Sequence, residues 1–428
     1  MSHPLVAELP SFREFGQQTE VENTHRPVNG RSIPMFINEF WTAKQRRANS
    51  LHEISYRACF KPQLAAFFVE RLTNACDAVY DPMMGRGTTP LEAALTGRTP
   101  IGNDVNPLSR FLVQPRLNPP TMAEVTDRLK GIDFSNGDNL PEDLLVFYHH
   151  KTLQQICSLQ SYFLRREAAG DLDQVDDWIR MVAINRLTGH SPGFFSVYTL
   201  PPNQAVSVER QKIINQDRNQ VPPVRDVPSL IIKKTGQLLK GCDANVLQKL
   251  RRTWPNARLF TNPANATPEI REDSVSLVVT SPPFLDVVDY ESDNWLRCWF
   301  ARIDPKSVKL TICRNLDDWS HEMLAVFREI YRVLKPGGHV AFEVGEVRNG
   351  RIKLEEAVIP CGVAAGLDPV LVLINKQKFT KTANCWGVDN MAKGTNTSTS
   401  RNQGPPRSVT SAITPSQRGI ARTWPRLK

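Results

Sequence analysis

Asp81-Pro82-Met83-Met84-Gly85-Arg86-Gly87-Thr88-Thr89 is the stretch that decides the fold class. It follows a short strand-like run, Asp77-Ala78-Val79-Tyr80, and leads into a helical pattern over Thr89–Thr96 that Gly97-Arg98 stops. Pro100-Ile101-Gly102-Asn103-Asp104 then reads as a second strand. Strand, glycine turn, helix and strand in that order open a parallel βαβ unit. Glycines in such a turn let the backbone approach a ligand that a Cβ would hold off. The helix start behind them offers unpaired N–H groups and positive dipole character. A nucleotide-like ligand across the carboxyl ends of parallel strands suits this geometry, and a plain strand–helix turn is the alternative. A phosphate-cradling P-loop is disfavoured, since no Gly-Lys-Ser/Thr ends the loop. Asp104 stands where a carboxylate accepts from a ribose diol, or caps the next helix at Asn106-Pro107.

Outward from this unit, Leu64, Phe67, Phe68 and Leu72 recur at helical spacing and predict an amphipathic helix over 62–72. Residues 1–50 are polar with scattered prolines and read as an irregular arm or a small accessory layer. Residues 118–253 change character, with helical patterns over 144–166 and 176–187 and a loop-rich 201–228. The α/β pattern resumes with strands at 257–260, 274–279, 339–344 and 369–376, and with a helix over 321–334 that Pro336-Gly337-Gly338 stops. The organisation expected is one α/β domain in two halves, 51–117 and 254–396, split by a largely helical insertion at 118–253. Residues 397–428 carry no acidic residue, are rich in Ser, Thr, Arg and Pro, and read as a disordered basic tail.

The formal charge of +9 and pI of about 9.2 favour a polyanionic partner without saying which. Eight cysteines lie scattered with no CxxC pair, so neither a zinc knuckle nor a disulfide framework is expected, and reduced cytoplasmic thiols are the simple reading. His149-His150 has no accompanying ligand set, and no metal is expected. The opening residues lack a leader pattern, and no apolar run approaches the roughly 20 residues of a membrane span.

Val278-Val279-Thr280-Ser281-Pro282-Pro283-Phe284 ends the clearest strand. Two prolines cannot continue a ladder, and their fixed φ makes a rigid platform. Either this is an ordinary strand-ending turn, or it grips a flat heterocycle bearing an NH₂ group. In the second case Phe284 stacks on the ring while Ser281 and the Pro282 carbonyl accept from the amine. Catalysis there would be mostly positioning.

Together these two motifs resemble the DNA amino-methyltransferases, the cytosine-N4 and adenine-N6 methylases. Residues 81–89 are similar to that family's cofactor motif, with Met83 where phenylalanine is common. The Thr280-Ser281-Pro282-Pro283-Phe284 form is the one associated with cytosine-N4 enzymes; adenine enzymes more often carry Asp or Asn before the prolines. The resemblance covers roughly 50–115 and 255–396. It implies a Rossmann-like fold with a mostly parallel seven-stranded sheet, and S-adenosylmethionine held by Phe60, Asp81, Gly85, Gly87, Thr88, Asp104 and Asn265. It also implies catalysis by Ser281, Pro282, Pro283 and Phe284, on double-stranded DNA with the target base flipped out, in a restriction–modification setting with a cognate endonuclease. Asn265 departs from the family's usual acid. The last strand of the sheet looks missing after Asn396, which predicts an exposed edge near 370–380. An adenine-N6 enzyme, an RNA methyltransferase and a non-catalytic DNA-binding relative are the alternatives.

The cofactor motif precedes the catalytic one, so the intervening insertion is the expected target-recognition region. Glu209–Arg252 holds ten Lys/Arg against four acids, and Arg210, Lys212, Lys233 and Lys234 are the phosphate-neutralising candidates. Arg186, Asn203 and Gln204 border a loop dense in glycine and aromatics and are candidates for reading base edges. Phe194, Phe195 and Tyr198 either fill the gap left by a flipped base or pack in the core.

Overall fold

The computed structural model describes residues 3–24, 30–41, 48–56, 59–137, 140–200, 205–283, 290–308, 313, 315–347, 352–376 and 407–415. A single sheet organises them. In chain order its strands are β1 (Glu20–Asn23), β2 (Pro34–Asn38), β3 (Ala78–Asp81), β4 (Thr99–Asn103), β5 (Arg258–Phe260), β6 (Val275–Thr280), β7 (Leu334–Val347), β8 (Ile352–Lys353), β9 (Leu367–Lys376) and β10 (Arg407–Pro415). Their spatial order is β1-β2-β9-β10-β7-β6-β3-β4-β5, with β8 on β7 alone. β5, β4, β3, β6 and β7 run parallel. The order reverses between β3 and β6, a topological switch point where open α/β sheets form a crevice at the strands' carboxyl ends.

β6 shows why the sheet is parallel and covered. All six residues of Val275-Ser276-Leu277-Val278-Val279-Thr280 are buried, and a strand with both faces covered needs no polar alternation. Leu277 and Val279 meet α2 (Pro62–Leu72) and the N-terminal aromatics Phe12 and Phe40 on one face. Val275 and Val278 meet α12 (Leu316–Val333) and α13 (Leu354–Ala364) on the other. Each buried valine or leucine is worth roughly 1.5–3 kcal/mol, so this strand anchors both layers.

The residues between β4 and β5 form a helical block: α4 (Leu108–Leu117), α5 (Met122–Lys130), α6 (His150–Ala169), α7 (Gln174–Ile184), α8 (Val208–Asp217), α9 (Val227–Leu239) and α10 (Ala244–Thr253). Trp178 at its centre is fully buried and donates to Thr235 Oγ1 at 3.0 Å. No described helix is long and apolar enough to cross a membrane.

Two expectations are corrected. The N-terminal arm is not irregular, because β2 pairs parallel with β9 from Met35↔Val372 to Asn38↔Asn375. Asn375 reinforces the seam by accepting from Phe40 N at 2.8 Å. The last strand is not missing either. β10 runs antiparallel between β7 and β9, pairing Ser408–Ile413 with Gly345–Val340 and Arg407–Pro415 with Lys376–Leu367. β9 is therefore flanked on both sides over Val372–Asn375 and is no exposed edge there; residues 377–380 lie outside the described residues. The tail looked structureless because its strand is poor in large apolar residues, and central position supplies what composition does not. A chain ending at Asn396 should accordingly lose most soluble yield, or show a much lower melting temperature, as β7 and β9 are left with open ladders. An unchanged thermal melt would remove β10 from the fold.

Candidate active site

The glycine loop starts where β3 ends. Asp81 Oδ1 accepts from Met83 N at 3.1 Å, Met84 N donates to the Asn103 carbonyl at 2.9 Å, and Gly85 N donates to Asp104 Oδ2 at 2.8 Å. Gly85 and Gly87 have φ of 48° and 74°, the left-handed region that favours glycine. Gly87 has a second reason, since a Cβ there would sit 2.8 Å from Val113 Cγ1. At Gly85 a Cβ would lie 3.4 Å from the Tyr56 ring, an ordinary contact, so the backbone conformation alone demands glycine there. α3 (Thr88–Leu95) begins directly behind, with Thr88 buried at its first position.

Asp104 does not cap α4: its Oδ1 accepts from Asn106 N at 2.9 Å in the turn before the helix, and Asn106 Oδ1 accepts from Leu108 N at 3.0 Å. Asp104 also braces the loop through Gly85. Each carboxylate oxygen retains a second lone pair. Burial raises its pKa. Asp81 is buried more deeply still, and its carboxyl is pushed up to about 7, chiefly by burial. Asp81 Oδ2 is buried without a hydrogen-bond partner among the described residues.

β6 lies beside β3 in parallel register, Tyr80 opposite Val278. The Ser-Pro-Pro loop therefore leaves the sheet beside the glycine loop. Thr280 Oγ1 donates to Asp81 Oδ1 at 2.7 Å, and Thr89 Oγ1 donates to the Val279 carbonyl at 2.9 Å. Ser281 and Pro283 are half-buried and Pro282 is buried. Trp319 Nε1 donates to the Pro283 carbonyl at 2.9 Å, fixing the end of the platform. Phe284 lies outside the described residues.

Sequence reasoning missed Glu343. It stands on β7, one residue beyond the Thr280↔Phe342 pair, and the Ser281 hydroxyl donates to its carboxylate. Burial pushes its pKa up to about 7, against that bond. The available signal was an acid inside the otherwise apolar run Val340-Ala341-Phe342-Glu343-Val344.

The helical block meets both loops. Tyr56, against Gly85, ends a segment whose Ser55 N donates to Asn185 Oδ1 at 3.0 Å, while Arg297 donates to the Ser55 carbonyl at 3.1 Å. Arg297 belongs to α11 (Tyr290–Ala301), which follows the Ser-Pro-Pro loop. Ala205 N donates to the Asp293 carbonyl at 2.9 Å and Trp295 Nε1 to the Val206 carbonyl at 3.2 Å, so the glycine- and aromatic-rich loop runs up to α11. Asn203 and Gln204 themselves lie outside the described residues.

Asp81, Gly85, Gly87, Thr88, Asp104, Ser281, Pro282 and Pro283 thus come together at one end of the sheet. Phe60 is half-buried just ahead of α2 and packs on its apolar cluster. Asn265 is exposed on the loop after β5, whose base is held by the reciprocal pairing of Asn103 and Asn262 at 2.9 Å. Arg210, Lys212 and Lys233 are exposed on the helical block. Lys234 and Arg186 are buried, and Arg186 lies over the Phe194 ring at 4.0 Å, so neither is free at the surface. Phe194 and Phe195 are core residues, and Tyr198 is half-buried beneath Arg218. His149 caps α6 by accepting from Lys151 N, and no three-residue metal-ligand group occurs among the described residues.

No protein-family model matches the chain. Among curated proteins it is 22% identical to the type II methyltransferase M.BsoBI of Geobacillus stearothermophilus, over 64% of this chain and 57% of that one. It is likewise 22% identical to the type II methyltransferase M.MvaI of Kocuria varians, over 54% and 52%. A shorter match of 76 residues, 33% identical, is to the type II methyltransferase M.MjaII of Methanocaldococcus jannaschii, covering 18% of this chain and 14% of that one. The chain thus spans about half the length of the first two. Solved structures that align include a TehB-like SAM-dependent methyltransferase from Corynebacterium glutamicum (TM-score 0.29, 7% identity, 82% of this chain and 87% of that one). Another is a SAM-dependent methyltransferase from Methanosarcina mazei (TM-score 0.31, 9% identity, 81% and 96%). Likenesses that weak add nothing to the strand order above.

Asp81 and Glu343 both hold a proton more tightly in the folded chain than in the unfolded one. The stability they contribute is complete below the ordinary carboxylate range, about pH 4, and is lost as pH rises through about 7. Asp81→Asn keeps an oxygen for the Thr280 hydroxyl and removes the titration. Its melting temperature should gain on wild type as pH rises through that window. A difference between the two melting curves that is flat in pH would show that Asp81 is not held protonated by burial.

Proposed function

We propose, taking the chain as a member of the DNA methylase family, that it transfers a methyl group from S-adenosylmethionine to an exocyclic amine of a DNA base, cytosine N4. The observation that carries this reading is the adjacency of the glycine loop and Ser281–Pro283 on neighbouring parallel strands, tied by the Thr280–Asp81 hydrogen bond. Residues on the page fit the cofactor. Gly85 and Gly87 give a close backbone approach ahead of Thr88 at the start of α3. Asp104 has lone pairs for a ribose diol, and Asp81 Oδ2 is a buried acceptor awaiting a donor or positive charge. Phe60 borders the same end of α2, and Asn265 is assigned the adenine edge.

S-adenosylmethionine, when bound, supplies an electrophilic methyl group on a sulfonium centre. The chain's task is to present an amine nitrogen to it. Ser281 donates its hydroxyl hydrogen to Glu343 and so turns oxygen lone pairs outward, where they accept from the amine N–H. The Pro282 carbonyl is the second acceptor, and Phe284 is assigned the stacking face. As the nitrogen gains its methyl group it must lose a proton, and Ser281 with ionised Glu343 forms a short path for it. The remainder is positioning. The serine before the two prolines favours cytosine N4, as the family resemblance implies.

A base inside a duplex cannot reach this crevice, so the target must be flipped out. Exposed Arg210, Lys212 and Lys233 are assigned to the backbone, and Asn203 and Gln204 to reading bases. The type II relatives support a restriction–modification setting with a sequence-matched endonuclease.

DNA from cells expressing the protein, digested to nucleosides and analysed by mass spectrometry, should contain N4-methylcytosine. N6-methyladenine in its place would overturn the target, and label entering RNA but not DNA would overturn the substrate class. Ser281→Ala should lower kcat by about a hundredfold or more. Glu343→Gln should lower kcat and abolish the rising limb of the pH–rate profile near 7. An unaltered profile would remove Glu343 from the proton path.

A further inference from the structure

Two cations of the helical block are buried with little compensation among the described residues: Arg186 meets no carboxylate, and Lys234 has a long ion pair to an exposed one. Lys234 is 6% exposed and Arg186 9%. Lys234 Nζ lies 3.8 Å from Glu53 Oε2, beyond hydrogen-bond range, and the Glu53 side chain is 60% exposed. Arg186 donates through Nε to the Asn185 carbonyl at 2.8 Å, rests on Phe194, and makes no ion pair among the described residues. Burial lowers the pKa of both, Arg186 to about 10 and Lys234 to about 8, with the Arg186 charge adding to the effect on Lys234.

Elsewhere the same block neutralises its cations closely. Asp176, fully buried, receives Arg166 at 2.7 Å and Arg128 at 2.5 Å, and Arg128 also meets Asp173 at 2.7 Å. Arg116, buried without an acid, gives its N–H groups to the carbonyls of Leu112, Leu51 and Arg86. Arg186 has neither solution among the described residues, and Lys234 has only the long contact to Glu53. A buried charge so weakly compensated is destabilising and is relieved when a ligand brings a closer anion.

Their position says which anion. Glu53 is three residues from Tyr56, at most about 10 Å along the chain, and Tyr56 stands against Gly85. Arg186 follows Asn185, which holds Ser55, and leads into the loop that reaches α11. The site thus borders the crevice. Exposed Lys233 and Lys240 on or beside α9 continue the positive charge outward, which suits a polyanion more than one small carboxylate.

We propose that Arg186 and Lys234 form one phosphodiester site that grips the DNA backbone beside the flipped nucleotide, with Glu53 holding Lys234 until DNA displaces it. This rests on the DNA methyltransferase reading above. It gives Arg186 a phosphate to hold, where its sequence context had suggested a base edge. A phosphodiester oxygen takes charge-assisted bonds from both cations at once.

The test measures binding of a fluorescein-labelled mixed-sequence duplex by anisotropy across a salt series. S-adenosylhomocysteine affinity, thermal melting and methylation of DNA are followed in parallel. Lys234→Met should weaken duplex binding about tenfold and reduce the salt slope by about one. It should leave S-adenosylhomocysteine affinity unchanged, and melting unchanged or raised, because the buried charge is gone. Glu53→Gln alters an exposed residue that folding does not need, and should tighten duplex binding. Duplex affinity and slope unchanged in Lys234→Met would overturn the site, as would unchanged or weakened binding in Glu53→Gln. Loss of S-adenosylhomocysteine affinity alone would reassign the cations to the cofactor carboxylate. Should wild type methylate no DNA, the functional reading fails; should it methylate DNA while both variants bind like wild type, only the phosphate site fails.

Discussion

The hydrogen bond from the Thr280 hydroxyl to Asp81, 2.7 Å long, joins two stretches of chain that the helical block separates. One oxygen of Asp81 serves both sides, receiving Thr280 from the Ser-Pro-Pro side and Met83 N from the glycine side. Because β3 and β6 flank the switch point, their carboxyl ends open onto the same crevice. Register then leaves little freedom. Sliding β6 by one residue would turn Thr280 away from Asp81 and exchange its two buried faces. The Thr89–Val279 bond holds the same register from the helix side. Whatever reacts at Ser281 is thereby set against whatever lies over Gly85, before any ligand arrives.

Around this junction the protein positions backbone with buried arginines. Arg86 donates to the carbonyls of His52 and Ile54, and Arg116 to those of Leu51, Leu112 and Arg86. Hydrogen bonds from a charged donor are worth roughly 1.5–3 kcal/mol each, so several together offset much of the desolvation of a guanidinium. Three of these carbonyls, those of Leu51, His52 and Ile54, belong to the segment that delivers Tyr56 to Gly85. The Glu92 carboxylate meets His52 Nε2 at 2.7 Å beneath it. Arginine suits this task, since its planar fork reaches several carbonyls at fixed angles. Among the described residues the crevice is built largely from backbone acceptors held by cations, and Asp81, Asp104 and Glu343 are its acids.

Much of this was legible in the sequence, for physical reasons. The glycine loop and the double proline are local devices, and each announces a strand end whatever surrounds it, so β3, β4 and β6 were readable. The partnership of Asp104 with Gly85 was half readable: capping and ligand binding ask the same carboxylate for different bonds, and only coordinates show Oδ1 on Asn106 and Oδ2 on Gly85. Arg186 and Lys234 read as surface cations because sequence reports charge and not depth. Glu343 escaped notice because its importance comes from the neighbouring strand. β10 was the largest miss. Arg407-Ser408-Val409-Thr410-Ser411-Ala412-Ile413-Thr414 has modest strand propensity, set among Ser, Arg and Pro. Its place is granted by two waiting ladders.

That placement ties the end of the described chain to the chemistry at its centre. Thr410 pairs with Glu343 on one side of β7, while β6 ends opposite Phe342, one residue short of it. Glu343 is half-buried beside the end of β6, with β10 closing the other flank. A carboxyl group so enclosed binds its proton tightly, and one at an open edge would be hydrated and ordinary. Burial brings the proton affinity of Glu343 close to neutrality, and β10 is part of what surrounds it, so the electrostatics of the crevice depend on a strand far from both loops in sequence.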